Sequence, residues 1–174
     1  MSAGLLILTA VHVIISLAGI ASGFVVMWGF LKNKSLPQWT TIFLSTTMLT
    51  SATGFLFPIE HFTPGLAMGI LSLLILGVAL VARYRKHLAG RWCATFVICA
   101  SLAQYFNSVI LIIQSFQKVP PLHALAPTQP EPIFLITQLV VLVSFVAFTV
   151  AAVLLFRSRR QFHSRESAEM LAVS

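Results

Sequence analysis

Aspartate is absent from this chain of 174 residues, and the only acidic side chains are four glutamates. Paired-carboxylate chemistry and acidic cation cages therefore have almost nothing to work with. Cysteine is nearly as scarce. Cys93 and Cys99 stand six residues apart, form no CxxC and read as small packing residues rather than as a dithiol. No P-loop, dinucleotide fingerprint, nucleophile elbow or zincin motif appears, so the sequence leans away from an enzyme.

What is present is apolar, since 58% of residues are hydrophobic and only 9% are charged. That mix excludes an ordinary water-soluble domain and implies a membrane protein. A hydrocarbon core about 30 Å thick takes roughly 20 helical residues to cross, and apolar stretches of that order run over 4–31, 39–58, 64–83, 92–116 and 133–156. The expected fold is all-α, a polytopic bundle of five transmembrane helices over residues 1–157, followed by a polar cytoplasmic tail over 158–174. The first span starts close to Met1 without a basic n-region or a small-residue cleavage site, so it is expected to stay as a helix.

Basic residues set the expected orientation. Lys32 and Lys34 occupy the first connection, Arg83, Arg85, Lys86 and Arg91 the third, and Arg157, Arg159, Arg160 and Arg165 follow the last span, whereas the second and fourth connections hold Lys118 alone. The alternation places the N-terminus outside and the C-terminus inside. The net charge of +7 thus expresses membrane orientation and contact with anionic lipid heads; no RNA- or DNA-binding motif accompanies it, and no nucleic-acid partner is expected.

Polar residues inside the spans are the candidate functional groups, because an unpartnered polar group in hydrocarbon is costly. His12 heads a stripe with Ser16, Gly19 and Gly23, whose GxxxG spacing marks a face against another helix. The second span is hydroxyl-lined: Thr46, Thr50, Thr53 and Phe57 share one stripe, and Thr47, Ser51, Gly54 and Pro58 the next. In the fourth, Gln104, Asn107 and Gln114 project along one side. Counting depth along antiparallel spans brings His12, Thr50, Thr53, Asn107, Gln114 and Gln138 into the outer half of the bilayer, where they are expected to line one polar pocket.

Two outer connections lie above that pocket. Each carries one carboxylate and one imidazole, Glu60 with His61 and His123 with Glu131, a set able to bind a divalent metal or pass a proton. Its spacing matches no metal motif, and a haem would need a second histidine facing His12 from another span, so no cofactor is expected. The loop "HALAPTQPEP", residues 123–132, is stiffened by three prolines and is expected to cover the pocket mouth.

The stretch "YFNSVILIIQSFQKVPPLHALAPTQPEP" resembles an uncharacterised family of small multi-pass proteins of bacterial inner membranes. That resemblance implies the compartment and no activity, cofactor or site residue. The expected function is binding or passage of a small molecule or proton through the polar pocket. The alternative is a structural subunit that holds a partner membrane protein on its small-residue faces and rigid outer loop.

Overall fold

The computed structural model describes residues 3–58 and 64–173, with side chains described for 3–58 and 65–156. Among these residues the chain is all-helical: α1 (Ala3–Leu31), α2 (Pro37–Gly54), α3 (Pro64–Leu80), α4 (Arg91–Lys118), the short α5 (Pro120–Leu125) and α6 (Pro132–Val173). Helix α6 passes without a break through the boundary expected at 157.

Among the described residues four stretches are long and apolar enough to cross a membrane: Ala3–Leu31, Gly65–Arg85, Arg91–Lys118 and Pro132–Phe156. The second of the five expected spans is where expectation and structure part. Helix α2 has 18 residues, about 27 Å of rise, but eight of them are Ser or Thr, which takes it below the apolarity of its neighbours. It ends at Gly54, four residues short of the expected 58, where Phe55 N–H bonds Ala52 O at 3.2 Å and Leu56 N–H bonds Thr53 O at 3.1 Å.

Local chemistry explains the turns at one end of the bundle. Asn33 takes a left-handed conformation (φ 51°) just past α1, a position Asn tolerates, and Lys34 N–H returns to Gly29 O at 2.8 Å. A Cβ on Gly29 would press on the backbone Lys34 O at 3.1 Å and on Leu36 Cδ1 at 2.9 Å, so the tight reversal favours glycine there. Pro37 then opens α2 where a missing N–H costs nothing. At the α3–α4 reversal the helix loosens into a π-turn over Val81–Arg85, and His87, Leu88 and Gly90 all carry positive φ. Leu88 is 93% covered and its N–H reaches Ala82 O at 3.0 Å, which shows what holds this strained turn in place.

Between these turns sits the main core. Phe30 packs edge-on to Phe96 at 5.8 Å and against Phe156 at 5.2 Å, while Phe43, Leu76 and Val97 fill the space among α1, α2, α3 and α4. Lys86 lies 5.5 Å from the Trp92 ring centroid and Arg83 5.6 Å from that of Phe96, so the cations flank the core without entering it. We call this the basic end of the bundle.

The Gly19–Gly23 face lies where the sequence places it, against a neighbouring helix. A Cβ on Gly19 would touch Thr46 Oγ1 at 3.2 Å and Thr47 Oγ1 at 3.3 Å; one on Gly23 would strike the Gln104 carboxamide and Phe43 Cε2. The missing side chain of Gly23 admits Gln104, fully buried, whose Nε2 donates to Ile20 O across the α1–α4 interface at 3.0 Å. This carboxamide clamps α1 to α4 midway along both helices.

Candidate functional site

Beyond the clamp, toward the end opposite the basic turns, α1 and α4 leave a cleft of about 860 Å³ backed by α2 and α3. Its lining begins at Ile20 beside the clamp and reaches Lys118 and Val119 at the far rim. The volume falls within the range usual for small-molecule sites.

Four of the six residues expected to share a pocket line this cleft: His12, Thr50, Asn107 and Gln114. His12 stands about 12 Å along α1 from Gly4 by the helical rise. Its Nδ1 lies 2.8 Å from Thr53 Oγ1, and its ring meets Phe57 edge-on at 5.3 Å. Thr53 therefore stands behind the wall as the partner of His12 rather than in it. With the Thr53 hydroxyl proton on Leu49 O, 2.8 Å away, Nδ1–H is the donor to Thr53. In neutral His12 the other nitrogen, Nε2, is then left with a lone pair, an acceptor for a ligand or a proton.

The remaining polar groups divide into committed and available ones. Ser16 donates to His12 O at 2.6 Å and reaches Thr50 Oγ1 at 3.3 Å. Asn107 Nδ2 donates to Thr47 Oγ1 at 3.2 Å, tying α4 to α2, and Ser115 bonds back to Leu111 O at 2.7 Å. Gln114 and Lys118, one turn apart on α4, are both exposed to the cleft space. Five residues of α3, Gly65, Leu66, Met68, Gly69 and Ser72, and Phe55 of the turn after α2 complete the back wall. The signal for α3 was its small-residue spacing at Gly65, Gly69 and Ser72; taken singly, none of the three stands out in an apolar run.

Gln138 stands apart from the cleft. Helix α4 turns Asn107 and Gln114 to the cleft but Tyr105 and Phe116 to α6, where they meet Phe145 at 5.6 Å and Phe134 at 5.3 Å. Gln138, on α6, shares the depth of the other residues but not their direction. Its Nε2 is buried with no hydrogen-bond partner among the described residues.

The proline loop does not cover the cleft, which corrects the expected lid. It seats on its own apolar cluster, where Ala126 is fully buried with Phe116 and Phe134, and Ile112, Ile113 and Leu122 pack around them. Burial of these side chains draws the loop over the α4–α6 side instead. Its carboxylate, Glu131, accepts from Thr128 N at 3.1 Å and Thr128 Oγ1 at 2.8 Å. Burial opposes the charge, but these bonds and the backbone N–H groups of Glu131 and Gln129 outweigh it and hold the carboxyl below the usual glutamate range. His123 is exposed on α5. Glu60 and His61, the other half of the expected metal or proton set, lie outside the described residues. Among the described residues no group of three or more His, Cys, Asp or Glu side chains comes together.

Comparison with known proteins returns no matching family model, no similar curated protein and no similar solved structure.

Proposed function

We propose that this chain is a five-span protein of a bacterial inner membrane that binds or passes a small molecule or a proton at the cleft between α1 and α4. The observation that carries the reading is the cleft itself: one continuous space lined by His12 and Gln114, whose Nε2 and carboxamide are committed to no other group among the described residues, between largely apolar walls. Packing alone would have filled such a space with the side chains of its own helices.

The orientation we propose has α2 as the fifth crossing segment, the basic turns in the cytoplasm and the cleft open toward the outside. It rests on Lys32, Lys34, Arg83, Arg85, Lys86 and Arg91 gathering at one end, as cytoplasmic cations do. The competing reading, a subunit that displays small-residue faces to a partner, fits less well: Gly19 and Gly23 are spent inside the chain, on α2 and on Gln104.

Two experiments test the proposal. Thiols engineered at positions 128 and 161 should react with an impermeant maleimide from opposite sides of the membrane, the first without permeabilisation; reaction of both from one side rejects the orientation. For binding, Leu111→Trp places an indole in the cleft. A small molecule retained by the wild-type chain in native mass spectrometry should be lost from this variant, and equal retention by both places the ligand elsewhere.

A further inference from the structure

We infer that the ligand of the cleft is an anionic amphiphile, a carboxylate or phosphate head on an aliphatic chain, seated with its head at Lys118 and Gln114 and its chain along the apolar walls. This deepens the proposed reading of the cleft and rests on it.

Charge comes first. Among the cleft's described lining residues the only fixed charge is Lys118, at the rim, and there is no carboxylate among them. Lys118 makes no ion pair among the described residues, and its exposed ammonium stands at the C-terminal end of α4, the depth at which lipid head groups meet a spanning helix. A cationic ligand would have no partner in this lining and would be repelled by that ammonium. An anionic head finds a charge-assisted donor there and a carboxamide donor one turn deeper at Gln114. The N-terminal end of α3, the positive end of its dipole, also opens on the cleft at Gly65.

Polarity along the cleft comes second. Below Gln114 the Ser16 hydroxyl is already bonded to a backbone carbonyl of its own helix, and Asn107 is spent on Thr47. Apart from the His12 ring and the hydroxyls of Thr50, Ser51 and Ser72, the walls offer a ligand apolar surface: Leu17, Ile20, Phe106, Ile110 and Leu111 line the floor and sides down to the clamp. A uniformly polar metabolite would be desolvated against these surfaces without compensation. An aliphatic chain matches them, and the charged rim matches its head. The two halves of the site thus ask for the two halves of an amphiphile.

The test uses the full chain in nanodiscs of phosphatidylcholine, with three probes carrying the same chain: oleate, lysophosphatidic acid and lysophosphatidylcholine. The anionic probes should bind roughly tenfold more tightly than the zwitterionic one, as a hydrogen bond to a charged group warrants, and Lys118→Gln should erase that preference without lowering the melting temperature. Which anion binds better separates a fatty-acid source from a lipid-phosphate source. Equal binding of all three probes overturns the head-group assignment but leaves the cleft as an amphiphile site. A preference that survives in Lys118→Gln removes Lys118 from the site. Failure of every probe, together with no effect of Leu111→Trp on any ligand retained by the wild type, overturns this inference and the cleft reading together.

Discussion

The same four helices behave differently on the two sides of the Gln104 clamp. Toward the basic end, α1, α2 and α4 interdigitate Phe30, Phe43, Phe96 and Val97, all nearly or fully buried. Toward the other end, the corresponding positions hold His12, Ser16, Thr50 and Asn107, and the helices stand off around a cleft. The helices themselves do not change character at the clamp. What changes is side-chain volume and polarity: rings close one half, while short hydroxyls that bond back to their own backbone leave the other half open. A bundle built this way can keep a rigid base and a receptive mouth within single helices.

The contrast is most easily broken in the base. Phe96→Ala removes a ring that is 1% exposed and touches Phe30, and should cost about 3 kcal/mol, the low end for such truncations because lipid rather than water is the reference. Leu111→Ala, on the cleft wall and 38% exposed, should cost well under half as much. Thermal unfolding in mild detergent compares them, and equal losses would erase the distinction between the halves.

The clamp sharpens it next. Gly23→Ala forces a methyl into Phe43 and the Gln104 carboxamide and should destabilise by about 1–3 kcal/mol. At Gly77 a Cβ meets nothing within 4 Å, so Gly77→Ala should be neutral or stabilising by up to about 1 kcal/mol through helix propensity. The same substitution thus takes opposite signs at two spanning glycines, measured as the shift in melting temperature.

A smaller effect belongs to Asn107→Leu. Its single bond to Thr47 should be worth roughly 0.6 kcal/mol, the mean for interhelical bonds in membranes, so stability should fall slightly while ligand retention changes more. A gain in stability with retention intact would mean that the side chain faces lipid.

How far the sequence foretold this division depends on the kind of information asked of it. Periodicity identified which residues share a helix face, so the Gly19–Gly23 contact and the inward turn of His12 were legible, as was the carboxamide stripe of α4. Depth, counted at 1.5 Å per residue, put Gln138 level with the others. Depth carries no direction around the bundle, and the Tyr105–Phe145 and Phe116–Phe134 contacts that fix that direction join residues far apart in the chain. The proline loop misled for a related reason: its stiffness was evident, but its seat is set by Ala126 and Phe134, two ordinary apolar residues. The positive φ of Leu88 had no local signal, since leucine disfavours it; His87 belongs to a residue type that enters this region more readily, but nothing in its neighbours marked the turn.

The smallest expected effect lies outside the bundle. The Glu131 carboxyl is held below its ordinary range in the folded loop, so its contribution to loop order is present above the unfolded glutamate pKa and is lost as pH falls through the lower, folded value. Protection of the Thr128 and Gln129 amides, measured as the exchange rate relative to the intrinsic rate at each pH, should therefore fall on acidification, and Glu131→Gln should remove that dependence. The cleft, which the loop does not cover, should keep its ligand preference in the same variant.

The division of the bundle at Gln104 is tested most directly by a cysteine scan along α4 in a chain with Cys93 and Cys99 replaced by alanine. Leu111→Cys, Ile110→Cys and Asn107→Cys should react with a small water-soluble maleimide entering from the Lys118 end, whereas Ala100→Cys and Val97→Cys should stay protected. Protection at all five positions would mean that the cleft is closed, and reaction at Val97 would mean that the base is as open as the mouth; either result contradicts the account.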